Sequence, residues 1–273
     1  MQNTRQVIVS GSFDDLRSHH IRFLEEAAKL GELNTVLWSD DAVKMFTGDL
    51  PKFRSEERSY LVGAVRYVKN VHVTGDIPDP DSLPAVPGLQ SGIWVVDEKT
   101  HTSAKEAFCR RTGMDYNVLA TEKLSGFPVP PPQKPSARKK VVATGCYDWF
   151  HSGHVRFCEE VSGLGDLYLI VGHDRNILLL KGEGHPLFPQ DERRYVVGSI
   201  RYVTQALISS GDGWMDAEPE IAGIKPDMYA VNEDGDKPEK REFCKKHGIE
   251  YIVLKRTPAP GLAKRSSTNL RGF

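Results

Sequence analysis

The chain has 273 residues, with 36 basic against 37 acidic, 39% apolar and 27% charged. That length suits two domains of about 130 residues, each able to bury its own core, and the near-cancelling charge gives no support to a nucleic-acid-binding surface, leaving a small-molecule partner. The four cysteines form no CxxC pair or metal-like cluster, no apolar run of about 18 residues could span a bilayer, and the N-terminus lacks a signal-like apolar stretch, so a cytoplasmic protein with no membrane span and no protein-bound metal centre is expected.

Residues 7–73 can be laid over 141–208 with little gapping. VIVSGSFDDLRSHHIRFLEEAAKLGEL aligns with VVATGCYDWFHSGHVRFCEEVSGLGDL, SEERSYLVGAVRYV with QDERRYVVGSIRYV, and KEAFCRRTGMDYNVL with REFCKKHGIEYIVL, so the chain reads as a tandem duplication. Between the copies, GFPVPPPQKPSARKK packs five prolines into residues 128–135, which favours an extended spacer. The expected organisation is a first domain over 1–125, a proline-rich linker over 126–138 and a second domain over 139–273.

Within the second copy, VVAT (141–144) predicts a buried strand, 155–164 a helix, LYLIVG (167–172) a strand, 193–202 a helix, DMYAV (227–231) a strand, 237–247 a helix and YIVL (251–254) a strand. This alternation predicts an α/β fold with a parallel sheet covered by helices on both faces. Ligands then bind at the carboxyl ends of the strands, which directs attention to the loop after the first strand.

That loop carries TGCYDWFHSGHVRF. Its glycines permit close backbone approach, and His151 and His154 sit at the start of a helix, where free N–H groups favour an anion. Asp148 suits bracing of the loop better than chemistry. Cys146 is expected to matter through its backbone N–H, since no neighbour in sequence activates its thiol.

GCYDWFHSGH resembles the (T/C)-(F/Y)-D-x-x-H-x-G-H motif of the cytidylyltransferase-like family, a branch of the HIGH-type nucleotidyltransferases. LKGEGHPLFPQDERRYVVGSIRYV (180–203) resembles the family's lysine loop and ER…RYV helix, and LKRTP…RSSTNL (254–270) resembles its terminal RTxGxSTT element, with APGLAK inserted. The resemblance implies two tandem Rossmann-like domains. It implies catalytic roles for His151, His154, Lys181 and Arg256, and nucleotide binding by Thr144, Gly145, Cys146, Tyr147, Asp148, Gly153, Arg201, Ser266, Ser267 and Thr268. For Lys181 the competing reading is an exposed loop lysine, for Arg201 a structural helix arginine, and for Glu192-Arg193-Arg194 a solvated helix face. Magnesium is expected with the triphosphate, held mostly by phosphate and water.

In the first copy Arg17 stands for His151, His19 for Gly153 and His20 for His154, while MFTGDLP (45–51) lacks the lysine and Thr121 falls opposite Arg256. A degenerate copy is expected, the alternative being a different anion site made by Arg17, His19 and His20. The tandem layout resembles ethanolamine-phosphate cytidylyltransferases, although there the first copy is the active one. The leading expectation is transfer of CMP from CTP to a small phosphorylated alcohol such as phosphoethanolamine. The second is transfer of AMP from ATP to a sugar phosphate or similar acceptor, and the third a non-catalytic nucleotide-binding scaffold. A pseudo-dimeric monomer and a homodimer fit equally.

Overall fold

A computed structural model describes residues 5–75 and 77–270, which divide into two compact units between Gly126 and Phe127. The first unit contains β1 (Gln6–Gly11), α1 (Ser18–Ala28), β2 (Glu32–Trp38), α2 (Asp40–Thr47), α3 (Ser55–Ala64), β3 (Val68–Thr74), β4 (Ile93–Asp97), α4 (Ser103–Thr112) and β5 (Asp115–Leu119). The second contains β6 (Lys140–Gly145), α5 (Ser152–Leu164), β7 (Asp166–Val171), α6 (Asp174–Lys181), α7 (Gln190–Gly198), β8 (Val203–Ile208), α8 (Glu218–Ile224), β9 (Met228–Asn232), α9 (Pro238–His247), β10 (Glu250–Leu254) and α10 (Ser267–Leu270).

Each unit holds a five-stranded parallel sheet, ordered β3-β2-β1-β4-β5 in the first and β8-β7-β6-β9-β10 in the second. Val141, Val142 and Ala143 of β6, and Leu167, Leu169, Ile170 and Val171 of β7, are fully buried. Continuous apolar runs are what a parallel sheet with both faces covered requires. The two sheets even share an irregularity: register shifts between Leu33 and Asn34 in one and between Leu167 and Tyr168 in the other, at aligned positions. The units differ beyond their third strands. Among the described residues no helix lies between β3 and β4, where the second unit has α8, and β5 is followed by a 3-10 turn (Thr121–Leu124) where α10 follows β10.

The sequence reading runs one helix from 193 to 202, whereas α7 stops at Gly198 and Val203 opens the edge strand β8, which that reading omits along with α6 and α8. Helical apolar spacing continues through Tyr202, but the Ser199 N–H closes the last turn onto Tyr195 and Val196, and VTQALI pairs with β7. Nor do the prolines form a bare spacer. Pro130 is buried against Gly198, where a Cβ would come within 2.9 Å of its ring, and the Gln133 backbone N–H donates to the Thr204 carbonyl at 2.8 Å. Gln133 Nε2 donates to the carbonyls of Arg201 and Val203. The linker thus covers the open edge of β8, which unpaired would be a template for wrong pairing.

One buried arginine fixes the loops above each sheet. Arg193 on α7 donates from Nε to the Phe188 carbonyl at 2.9 Å, from Nη1 to the Cys146 carbonyl at 2.7 Å, and from Nη2 to the Gly172 carbonyl at 2.8 Å and Asp174 Oδ1 at 2.7 Å. Arg58 on α3 repeats the pattern, with Phe53, Ser12 and Asp40 as acceptors. Arg193 is therefore no part of a solvated face; it is 1% exposed. Replacing Arg193 by Met strands three carbonyls and a carboxylate, and should lower the unfolding free energy by about 3 kcal/mol in a urea titration. A change below about 0.5 kcal/mol, the range of an ordinary surface substitution, would contradict the bracing role.

Candidate active site

A cleft of about 430 Å³ opens over the second sheet at the carboxyl ends of its strands. It brings together Thr144, Gly145, Cys146, Tyr147, Asp148, Gly153, His154, Lys181, Arg256, Ser266, Ser267 and Thr268, although these residues span 125 positions of the chain, from 144 to 268. Parallel topology makes this possible, because each strand delivers its following loop to the same end.

The loop from β6 to α5 is shaped by close packing. Tyr147 sits in the left-handed region at φ 53° and folds its ring onto Gly145, where a Cβ would lie 2.9 Å from ring carbons. Phe13, its aligned partner, has the same conformation at φ 45°. Such backbone costs an aromatic residue about 1–2 kcal/mol and persists only where its surroundings hold it. Asp148 supplies that hold: its Oδ1 accepts from the Leu187 N–H at 2.7 Å and the Phe188 N–H at 3.0 Å, tying this loop to the segment between α6 and α7. Asp14 does the same for Lys52 and Phe53 in the first unit.

His151 is the N-cap of α5. Its Nδ1 accepts the Gly153 N–H at 3.1 Å, which places the proton of the neutral ring on Nε2. Its ring is 1% exposed and stacks on His154 with centroids 3.9 Å apart, so His151 lies beneath the cleft wall that His154 forms. A Cβ at Gly153 would come within 2.9 Å of the His151 ring, which accounts for the glycine between the histidines. His151 Nε2 and His154 Nδ1 are buried with no hydrogen-bond partner.

Burial pushes the His151 pKa down to about 3, with the positive charges of Arg256 and Arg265 adding to the effect. Burial likewise takes His154 well below its ordinary value, helped by His151, Arg256 and Lys181. Both rings are neutral at pH 7. They serve as fixed hydrogen-bonding groups, and positive charge in the cleft comes from Lys181, Lys237, Lys240 and Arg256.

Lys181 ends α6 and is followed by Gly182 at φ 82°, so it projects from a helix terminus rather than from within a loop. Arg256 pairs with Asp234 and donates to the Arg265 carbonyl at 3.0 Å, joining the loop after β9 to the approach to α10. Ser266 Oγ accepts the Asn269 N–H at 3.2 Å, and Ser267 Oγ donates to the Trp149 carbonyl at 3.1 Å. Arg201 is misplaced in the sequence reading. It is exposed in the turn before β8, at the amino end of that strand and thus away from the cleft.

The sequence reading overlooked Asn176, Trp214, Asp216, Lys237 and Lys240, all of which line the cleft. Asn176 exchanges two hydrogen bonds with the Gly213 backbone, which presents Trp214, and Lys237 Nζ lies 4.7 Å above the Trp214 ring. Only Lys240 left a trace in the repeat, where it aligns with Lys105.

At the equivalent place in the first unit, Arg17 donates to Asp15 at 2.8 Å and Lys52 to the same carboxylate at 3.0 Å. His20 accepts the Arg17 backbone N–H, and burial lowers its pKa to about 3. The cations here are engaged within the chain.

The depressed histidines set a pH dependence. His151 is held near 3 when folded against about 6.5 when unfolded, so its contribution to stability is full above pH 6.5 and is lost as the pH falls towards 3. At pH 5 one such ring costs about 2 kcal/mol relative to pH 7. His151→Asn keeps an acceptor for the Gly153 N–H and removes the titration. Denaturant titrations at both pH values should show a loss smaller by about that amount in the variant, whereas equal losses would mean that His151 ionises freely in the folded protein.

Residues 142–271 match the cytidylyltransferase-like family. The FAD synthase of Ferroglobus placidus is 39% identical over 120 residues, covering 43% of this chain and 75% of that protein. The FAD synthase of Aciduliprofundum boonei is 32% identical over 136 residues, covering 49% and 84%. The bifunctional protein HldE of Campylobacter concisus is 38% identical over 100 residues, covering 36% and 20%. With a Rossmann-like unit, a basic cleft and this level of identity across most of a relative's length, the chain belongs to the cytidylyltransferase-like family and is a nucleotidyltransferase.

Proposed function

We propose that the second unit transfers the adenylyl group of ATP to the phosphate of flavin mononucleotide, giving FAD and pyrophosphate, and that the first unit is a non-catalytic copy. The reading is carried by the cleft in which His154, Lys181 and Arg256 converge, taken with relatives named FAD synthase. Those relatives favour adenylyl transfer, the second expectation from sequence, over transfer of CMP to a phosphoethanolamine-like acceptor, which has no support among them. FAD is flavin mononucleotide joined to AMP through a phosphoanhydride, so the acceptor is a phosphate monoester, as that expectation required.

An acceptor oxygen attacks the α-phosphorus of ATP; the new P–O bond forms as the bond to the β-phosphate oxygen breaks, and the electron pair leaves on pyrophosphate. A phosphate monoester is largely a dianion at pH 7, its second pKa being about 6, so no general base is needed. The work is positioning and charge stabilisation. On this reading the neutral His154, held from beneath by the stacked His151, hydrogen-bonds phosphate oxygens, Arg256 and Ser266–Thr268 hold the β- and γ-phosphates, and Lys181 neutralises charge at the reacting centre. Arg256 then shares itself between Asp234 and phosphate.

Among the described residues no three His, Cys, Asp or Glu side chains converge as a metal cage, and Asp148 is engaged with backbone N–H groups. Such a cleft would suit a magnesium ion carried by the triphosphate, which would supply neutralisation of phosphate charge.

Pyrophosphate release should be seen with ATP and flavin mononucleotide and not with CTP and phosphoethanolamine. His154→Ala should lower kcat by about 10²–10³-fold, while His20→Ala should leave it unchanged. Turnover with CTP in place of ATP would sink the adenylyl reading, and equal losses from the two histidine variants would sink the assignment of chemistry to the second unit.

A further inference from the structure

Lys240 is the third residue of α9 and is 7% exposed, yet it lines the cleft. Its Nζ donates to Thr144 Oγ1 at 3.2 Å and lies 5.7 Å from the centre of the Tyr229 ring. The Thr144 hydroxyl is itself shared with the Tyr229 hydroxyl at 2.8 Å. Among the described residues no carboxylate forms an ion pair with this ammonium. The acids around it are engaged elsewhere: Asp216 accepts from the Ser209 hydroxyl, Asp234 pairs with Arg256 and Asp236 with Arg241. Burial lowers the Lys240 pKa, an effect that the nearby charges of Asp216 and Asp234 offset only in part.

The first unit supplies an internal comparison. Lys105, third in α4, donates to the Thr100 carbonyl at 2.6 Å and lies 3.4 Å from Asp81. There the lysine is satisfied within the chain. In the second unit the same position keeps its burial but has carboxylates near it only beyond ion-pair distance, and a buried ammonium so placed is costly unless an anion completes it.

Which anion follows from the face of the sheet. Val142 packs with Ile221 of α8 and Cys244 of α9, and Thr144, two residues on, shares that face. The groups assigned to the triphosphate stand elsewhere: His154 on α5, Arg256 in the segment after β10, and Ser266–Thr268 at the start of α10. In-line displacement at the α-phosphorus puts attacking and leaving groups on opposite sides. We propose that Lys240, together with the Thr144 hydroxyl, binds the phosphate of the acceptor and so restricts acceptors to phosphate monoesters. The inference rests on nucleotidyl transfer in this cleft but not on the acceptor being a flavin.

Inorganic phosphate is the probe, titrated calorimetrically into the full-length protein saturated with α,β-methylene-ATP. Lys240→Met should weaken phosphate binding by about tenfold or more, leave affinity for the ATP analogue unchanged, and leave the melting temperature unchanged or raised, since a buried cation with no ion-pair partner has gone. Lys240→Arg should retain most of the phosphate affinity. Wild-type protein that binds no phosphate, a Met variant that binds it normally, parallel losses for phosphate and analogue, or a lowered melting temperature would each overturn the proposal. Failure of turnover with flavin mononucleotide while phosphate binding still depends on Lys240 would refute the flavin reading alone.

Discussion

The Arg193 guanidinium ties together four points above the second sheet: the backbone of the turn after β6, of the end of β7 and of the segment leading to α7, and the Asp174 carboxylate at the start of α6. Each of these carries or abuts a cleft residue, so the geometry of the site depends on one buried cation whose donors are met by three carbonyls and a carboxylate. Asp148 reinforces it from the opposite sign of charge, accepting two N–H groups of the same segment. Buried charges are tolerated when they are completed in this way. Because Arg58 and Asp14 repeat both braces in the first unit, the loops can persist there while the residues facing the ligand change.

The electrostatics of the cleft follow from burial more than from composition. A chain with a formal charge of −1 concentrates lysine and arginine over one sheet end, and the two histidines most prominent in the sequence contribute no charge at neutral pH. Fixed donors aimed into a partly dry site require little reorganisation when charge develops, and this suits a reaction whose nucleophile is already ionised. Nothing in this scheme calls for the Cys146 thiol, whose pKa is raised by burial.

Much of this was legible in the sequence. The repeat, the parallel α/β character and most cleft residues follow from aligned motifs and from apolar runs such as VVAT and LYLIVG. What escaped did so for physical reasons. The arginines of ERR…RYV look alike in sequence, but the end of the helix decides their fates: Arg193 faces inward as a brace, while Arg201 lies beyond the end of α7 near the amino end of β8. Lys240 sits in PEKREFCKKH, whose charges resemble a solvated face, and only packing against Tyr229 and Thr144 buries it. Periodicity also runs α7 into β8, because RYV suits either element. The choice between CTP and ATP lies outside the shared motif, in contacts to the base that no residue type announces.

The central claim is that the fold occurs twice and the nucleotide site once. It is tested most directly by the stoichiometry with which the full-length protein binds α,β-methylene-ATP in a calorimetric titration. The account predicts one nucleotide per chain. Two per chain would show that the first unit also holds a nucleotide, and would contradict the reading of Arg17 and Lys52 as cations engaged by Asp15 rather than by a ligand.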